Sequence, residues 1–270
     1  MSGNALFGRY WPAESPVHAL DPRTKVLATL FLVVVIFSAQ NAAALAFVAA
    51  LLVAFVLAAR IPLSQALRSI APLSFIVVLT GLFNLLFVQG GAVYVDWGWL
   101  RISEGGVAQA LFVAVRLALL LLSGSLLTLT TTSMDITEAI ERLLQPLTRI
   151  GVPAHEFAFV MGTALRFLPQ FADEFRQIKV AQIARGARLS TSPLRAGMAS
   201  IASLIVPLFA SVFRHADTLS DAMEARCYHG AKGRTRLHPL AFGRRDAVAA
   251  CVLAAALAAV VVLNVMLEIG

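Results

Sequence analysis

From Val26 to Ala59 the chain runs for 34 residues without a charged side chain. As a single helix that run would be about 50 Å long, against about 30 Å of bilayer hydrocarbon. Gln40-Asn41 interrupts it near the middle, so two spans hinged there fit better, the first of them short. Further apolar runs extend from Ala71 to Val88, from Val107 to Thr130 and from Ala247 to Leu267. Only 14% of the 270 residues are charged and 59% are hydrophobic, whereas soluble domains carry about 25% charged residues. Disorder is excluded by the same balance, because a disordered chain is poor in apolar residues and rich in charge. Two cysteines, Cys227 and Cys251, are too few for a disulfide framework or a cysteine-rich zinc site. The residues predict an all-α integral membrane protein with about five transmembrane helices.

Basic residues set the orientation. Arg9, Arg23 and Lys25 precede the first span, and Arg60 and Arg68 separate the second from the third. Arg101 alone lies between the third and fourth, whereas Thr131 to Arg245 carries 15 Lys plus Arg against 9 Asp plus Glu. This places the N-terminus and the long segment in the cytoplasm and the C-terminus outside. One more run, Ala196 to Phe213, is long enough to cross, but it has basic residues on both flanks. Crossing in either direction would break the positive-inside rule, so it reads as an apolar helix packed under the membrane bundle. The organisation expected is residues 1–131 with the first four spans, a cytoplasmic domain over 132–245, and a last span over 246–270. Glu14 and Asp21 ahead of Val26 make a poor start for a cleaved signal peptide.

Within the cytoplasmic segment, Asp135-x-x-Glu138 resembles a capping box. Ile136, Ala139, Ile140, Leu143, Leu144, Leu147 and Ile150 then follow at helical spacing until Gly151 and Pro153. Two long helical patterns come next, about 154–189 and 194–228, joined by Ser190-Thr191-Ser192-Pro193. Each is apolar in its first half, holds an internal proline (Pro169, Pro207), turns charged, and ends in a small residue followed by arginine. The endings are Ala184-Arg185-Gly186 and Ala225-Arg226-Cys227. Two readings fit them: solvated helix ends whose arginines answer the C-terminal dipole, or a pair of tips that present charge well outside the bilayer.

The sequence contains no P-loop, H-E-x-x-H or G-x-S-x-G motif. The five histidines show no i, i+4 pairing, and Cys227 with His229 offers two possible metal ligands at most. The expected spans hold no Asp or Glu, which disfavours a self-sufficient ion-coupled carrier. Arg116 is the one full charge well inside a span. It is either a functional group of the membrane interior or a scaffold residue paired with carbonyls or hydroxyls.

Several ordered motifs carry a resemblance. His18-Ala19-Leu20-Asp21-Pro22-Arg23-Thr24-Lys25 ahead of the first span is similar to the N-terminal signature of the T component of energy-coupling factor transporters. Thr130-Thr131-Thr132 before the amphipathic helix, Gly151-Val152-Pro153, Ala164-Leu165-Arg166-Phe167-Leu168-Pro169 and Ala181-Gln182-Ile183-Ala184-Arg185-Gly186 resemble the same family. Ala222-Met223-Glu224-Ala225-Arg226 resembles its second Ala-Arg-Gly motif, with Cys227 standing where the family usually has glycine. The likeness covers about residues 18–230.

The resemblance implies a non-catalytic coupling subunit of an importer for vitamins or transition-metal ions, multi-pass in a bacterial or archaeal cytoplasmic membrane. It further implies that two long cytoplasmic helices cross and that Arg185 and Arg226 dock into grooves on two ABC-type ATPases. The flanking Ala184, Gly186, Ala225 and Cys227 would complete those docking elements. A small membrane-embedded substrate-binding S component is the third partner, with membrane lipid around the subunit, no nucleic acid, no metal and no cofactor of its own. Two alternatives are a membrane-embedded enzyme around Arg116 or the cytoplasmic Asp, Glu and His residues, and a conventional ABC permease subunit. The enzyme lacks a paired nucleophile and base at a recognisable spacing, and a permease with one short coupling loop fits two arginine-tipped helices badly.

Overall fold

A computed structural model of the chain describes residues 11–97, 100–146, 154–187, 198–228, 230 and 242–269. They form nine helices: α1 (Pro22–Ser38), α2 (Ala42–Ala58), α3 (Leu63–Ile70), α4 (Ser74–Phe87), α5 (Glu104–Thr130), α6 (Ser133–Leu144), α7 (Ala154–Ala184), α8 (Met198–Ala225) and α9 (Arg244–Ile269). The all-α membrane expectation holds with one addition that the sequence reading did not foresee. β1 (Val93–Trp97) and β2 (Leu100–Ser103) pair antiparallel in the loop ahead of α5. The chain divides into two compact units, residues 1–139 with 238–270, and residues 140–237.

In the first unit the expected hinge is where the helix breaks, between Ser38 and Ala42. Both arms have 17 residues, about 25 Å each. The third run is longer than its apolar stretch suggested, because α3 leads through a 3-10 turn at Ala71–Leu73 into α4. Among the described residues, Leu63–Phe87, Glu104–Thr130 and Arg244–Leu267 are long and apolar enough to cross a bilayer. Large apolar side chains point outward along the unit, Phe75, Phe87 and Met266 among them. Hydrocarbon surroundings make that exposure favourable, where water would not.

Two polar contacts fix α1 against α5. Lys25 Nζ donates to Thr130 O at 3.1 Å, and an Arg116 Nη2 hydrogen bond reaches Ala39 O. The anchors are fourteen positions apart on each segment, with the order reversed, so α1 and α5 run antiparallel in register over about 21 Å. Against α9, by contrast, α1 runs parallel. Asp21 N donates to Asp246 Oδ1 at 2.9 Å, and at the far end Asn264 Nδ2 donates to Ser38 O at 2.6 Å. Between these anchors lies the apolar core, where Leu32, Val35 and Ile36 of α1 meet Leu45, Val48 and Leu52 of α2, Leu119 of α5 and Leu253 and Val260 of α9.

α6 begins one turn earlier than its sequence pattern indicated. Thr132, not Asp135, is the N-cap: its Oγ1 accepts from Asp135 N at 3.2 Å and donates to Asp135 Oδ2 at 2.7 Å. The acid thus occupies the third helical position, where it faces the exposed N–H groups and the positive end of the dipole. Gly151 and Pro153 lie outside the described residues.

The second unit is built on α7 and α8. Phe159 stacks on Tyr228 with centroids 5.2 Å apart, Phe167 on His215 at 6.1 Å, and Glu174 receives Ser211 at 2.8 Å. Partners descend along α8 as they ascend along α7, so the two helices run antiparallel. The polar joint at residues 190–193 lies outside the described residues. Each helix keeps its internal proline, which cannot donate to the carbonyl four residues earlier.

Candidate functional site: two arginine-tipped helix ends

Residues 181–187 and 222–228 end their helices with the same backbone turn. Gly186 N donates to Ile183 O at 2.9 Å and Ala187 N to Gln182 O at 3.0 Å. Cys227 N donates to Glu224 O at 2.9 Å and Tyr228 N to Met223 O at 3.0 Å. In both pairs the bonds span three and five residues, the Schellman pattern that satisfies otherwise orphaned carbonyls. Gly186 and Cys227 occupy the left-handed position with φ of 86° and 52°. The turn is therefore formed with cysteine in the glycine position. A φ of 52° lies in the small left-handed region that an L-residue can enter at a cost.

Arg185 and Arg226 are consequently equivalent: each is the last residue before the left-handed turn, and each is exposed. A cation there faces the negative end of the helix dipole. Ala184 and Ala225 close the last helical turn beside them, exposed and without bulk that would hold a partner away. The structure thus brings Ala184, Arg185 and Gly186 together at one tip, and Ala225, Arg226 and Cys227 at the other. It does not join the two tips. Because α7 and α8 are antiparallel, the arginines lie at opposite ends of the pair.

Midway between the tips is a polar group that the sequence reading passed over. Glu174 of α7 accepts from both Ser211 Oγ, at 2.8 Å, and His215 Nε2, at 2.5 Å. Gln170 Nε2, one turn earlier on α7, donates to Glu174 Oε1 at 3.4 Å. The carboxylate acceptor identifies His215 Nε2 as the protonated ring nitrogen. Phe167 and Phe171 lie against the same imidazole, with centroids 6.1 and 5.8 Å away. The hydrogen bonds from His215 and Ser211 hold the Glu174 carboxyl below the usual carboxylate range. The available signal was spacing: Gln170 with Glu174, and Ser211 with His215, are i, i+4 pairs just past each internal proline.

In the other unit, the motif at residues 18–25 closes the ends of three helices. Asp21 caps α1 by accepting from Arg23 N at 2.9 Å, and Pro22 occupies the first helical position. Its carboxylate also receives Arg23 Nε and Nη2, at 3.2 and 3.0 Å, while the Arg23 guanidinium lies 4.3 Å over the Phe242 ring. Lys25 is buried and donates to His18 O at 2.9 Å as well as to Thr130 O. His18 Nδ1 is 2.7 Å from Ser15 Oγ and Nε2 is 3.0 Å from Trp11 O. Burial pushes this imidazole below its ordinary pKa, against the opposing pull of the Trp11 carbonyl.

Arg116 sits half-buried on α5, its guanidinium 4.5 Å over the Phe112 ring and bonded to the carbonyl that ends α1. Asn264 serves the same hinge from α9: its Nδ2 donates to Ser38 O, and its Oδ1 accepts from Gln40 N at 3.2 Å. The break between two apolar helices frees backbone groups that such partners satisfy. Among the described residues, no three His, Cys, Asp or Glu side chains are grouped to hold a metal ion.

Residues 13–237 match a family model described as "Cobalt transport protein", CbiQ. Over 252 residues the chain is 42% identical to the "Energy-coupling factor transporter transmembrane protein EcfT" of Brevibacillus brevis, covering 93% of this chain and 95% of that one. The protein of the same name from Acidaminococcus fermentans is 40% identical over 94% of this chain and 95% of its own length. That of Bacillus subtilis is 37% identical over 91% and 93%.

Proposed function

The chain belongs to the CbiQ family and is a transmembrane transporter component, and from this we propose that it couples two cytoplasmic ABC-type ATPases to a membrane-embedded substrate-binding S component. The observation that carries the reading is the pair of matched helix ends. Two exposed arginines, each at the last position before the same left-handed turn, stand at opposite ends of one antiparallel helix pair. That arrangement suits simultaneous engagement of two copies of one acidic groove. Guanidinium is always charged and planar, and it can bind a carboxylate through two parallel hydrogen bonds. The energy of transport then comes from ATP hydrolysed by the partners, and this subunit is not itself an enzyme. Choice of cargo, a vitamin or a transition-metal ion, belongs to the S component.

The same reading assigns topology and scaffold. Residues 1–131 carry four spans, 132–245 form the cytoplasmic coupling domain, and 246–270 form the fifth span, with the N-terminus inside and the C-terminus outside. The parallel direction of α1 and α9, with α5 opposed to both, supports an odd number of crossings. Arg116 is a scaffold residue that holds the hinge. A transporter couples only if its contacts differ between two states of the ATPases, and the helix tips are where those contacts are made.

The test is the double change Arg185→Ala/Arg226→Ala, with Arg188→Ala and Arg195→Ala as controls. A partner carboxylate left unpaired in a buried interface costs roughly 2–5 kcal/mol. Loss of substrate uptake and of ATPase co-purification is expected in the double variant, with membrane insertion retained, and the controls should keep both. Lysine at either tip should restore activity only in part, because an ammonium cannot reproduce the planar fork. Full uptake with ATPases bound in the double variant would defeat the proposal.

A further inference from the structure

We propose that Glu174, Ser211 and His215 form the pivot that fixes the distance between the two arginine tips, making them positioning residues for coupling. The inference rests on the coupling reading above and adds residues that no motif of the chain contains. Arg185 follows Glu174 by eleven positions, and Arg226 follows His215 by eleven. Eleven residues of helix span about 16 Å. With α7 and α8 antiparallel, the Glu174–His215 contact therefore sits equidistant from both tips, about 33 Å of helix apart in total.

Its chemistry suits a fastening that constrains angle. Phe159 stacks on Tyr228 further along the pair, and ring stacking tolerates sliding because dispersion has little direction. Hydrogen bonds are directional. Both carboxylate oxygens of Glu174 are taken by α8, one by Ser211 and one by His215, which are one turn apart on the same face. Two bonds to one carboxylate define the register and the rotation of α8 against α7, where one bond would define a single point. Phe167 and Phe171 flank the imidazole and limit its tilt. The bond between His215 and Glu174 is short, at 2.5 Å.

The test is a distance measurement between spin labels at the tips, made on the full chain in nanodiscs. Native Cys227 carries one label, Ala187→Cys carries the other, and Cys251→Ala removes the remaining thiol. The parent should give one narrow distribution centred on the order of 35 Å, from the helical rise. Glu174→Leu and His215→Leu should each broaden it, and unlabelled versions should lose uptake severalfold. The exchange Glu174→His/His215→Glu rebuilds the bond in reverse and should restore both the narrow distribution and uptake. Parental distributions in both leucine variants would overturn the pivot whatever happens to uptake, and so would broadening with uptake intact. Should the leucine variants fail to fold, the exchange decides alone: it recovers the parental distribution or the pivot is refuted. These distances do not depend on ATPase binding, so a failure of the coupling reading appears separately, as unchanged uptake in Arg185→Ala/Arg226→Ala.

Discussion

Gly186 and Cys227 occupy one backbone position in two copies of the same turn, and exchanging their chemistry should give unequal results. At Gly186 φ is 86°, beyond the window of about 50–70° that L-residues use in the left-handed region. A Cβ built there meets nothing within 4 Å, so Gly186→Ala introduces backbone strain without a clash. That strain costs about 1–2 kcal/mol. Cys227 already bears the cost at φ 52°, and Cys227→Gly removes it while adding about 0.5–1 kcal/mol of backbone freedom in the unfolded chain. The two terms nearly cancel, leaving a tip that is unchanged or slightly firmer. The observable is hydrogen exchange of the amides that close each turn, Gly186 and Ala187 at one tip, Cys227 and Tyr228 at the other. Since 1.4 kcal/mol corresponds to about tenfold, Gly186→Ala should speed local exchange at its own tip by roughly 5- to 30-fold. Cys227→Gly should leave its tip within about twofold of the parent and preserve uptake. Unchanged exchange in Gly186→Ala, or exchange about tenfold faster in Cys227→Gly, would refute the argument from left-handed geometry.

The topology is checked with single cysteines at Ser192 and Lys232 in a background lacking Cys227 and Cys251: both should resist an impermeant thiol reagent applied from outside, and labelling of either reverses the orientation. Lys25→Met keeps apolar bulk but strips the donor from His18 O and Thr130 O, at about 1–3 kcal/mol for each carbonyl left unpaired. Its thermal midpoint in detergent should fall clearly below the parent's, and an unchanged midpoint would show that the clasp contributes nothing to stability.

The membrane helices were legible because their signal is length without charge, and the basic flanks separate them from the equally apolar run at 196–213. The hinge at residues 39–41 was legible for the same reason, since Gln40-Asn41 is polar and the run is too long for one span. Its partners were not. Arg116 could be read as a scaffold residue or a functional one, and only the fold shows its guanidinium on the Ala39 carbonyl and the Phe112 ring. Asn264 carried no signal, being one amide in a long apolar run. α6 was misplaced by a turn because both Thr132 and Asp135 are good caps, and the choice depends on which backbone φ/ψ the preceding chain allows. The β1–β2 hairpin escaped notice because Val93–Trp97 and Leu100–Ser103 are short and sit between two strong helical signals. Glu174 and His215 are 41 residues apart, and two i, i+4 polar pairs on charged half-helices look like any solvated face.

The coupling proposed above needs parts that resist deformation, and each unit carries directional contacts that supply this. In the first, α1 is tied to α5 and to α9 at both of its ends, through Lys25–Thr130, Arg116–Ala39, Asp21–Asp246 and Asn264–Ser38. Four directional contacts at the ends of parallel and antiparallel helices oppose both sliding and tilting, because either motion lengthens at least one of them beyond bonding distance. In the second unit Glu174 of α7 takes two hydrogen bonds from α8 at one level. Those two bonds resist sliding and rotation of α8 against α7, so a tilt of the pair is a rotation of one lever about that level. The arginine tips, at the ends of two arms of equal length, are displaced most by such a rotation. Equal arms move both tips by equal amounts, which is what the coupling proposed above, to two equivalent partners, would require.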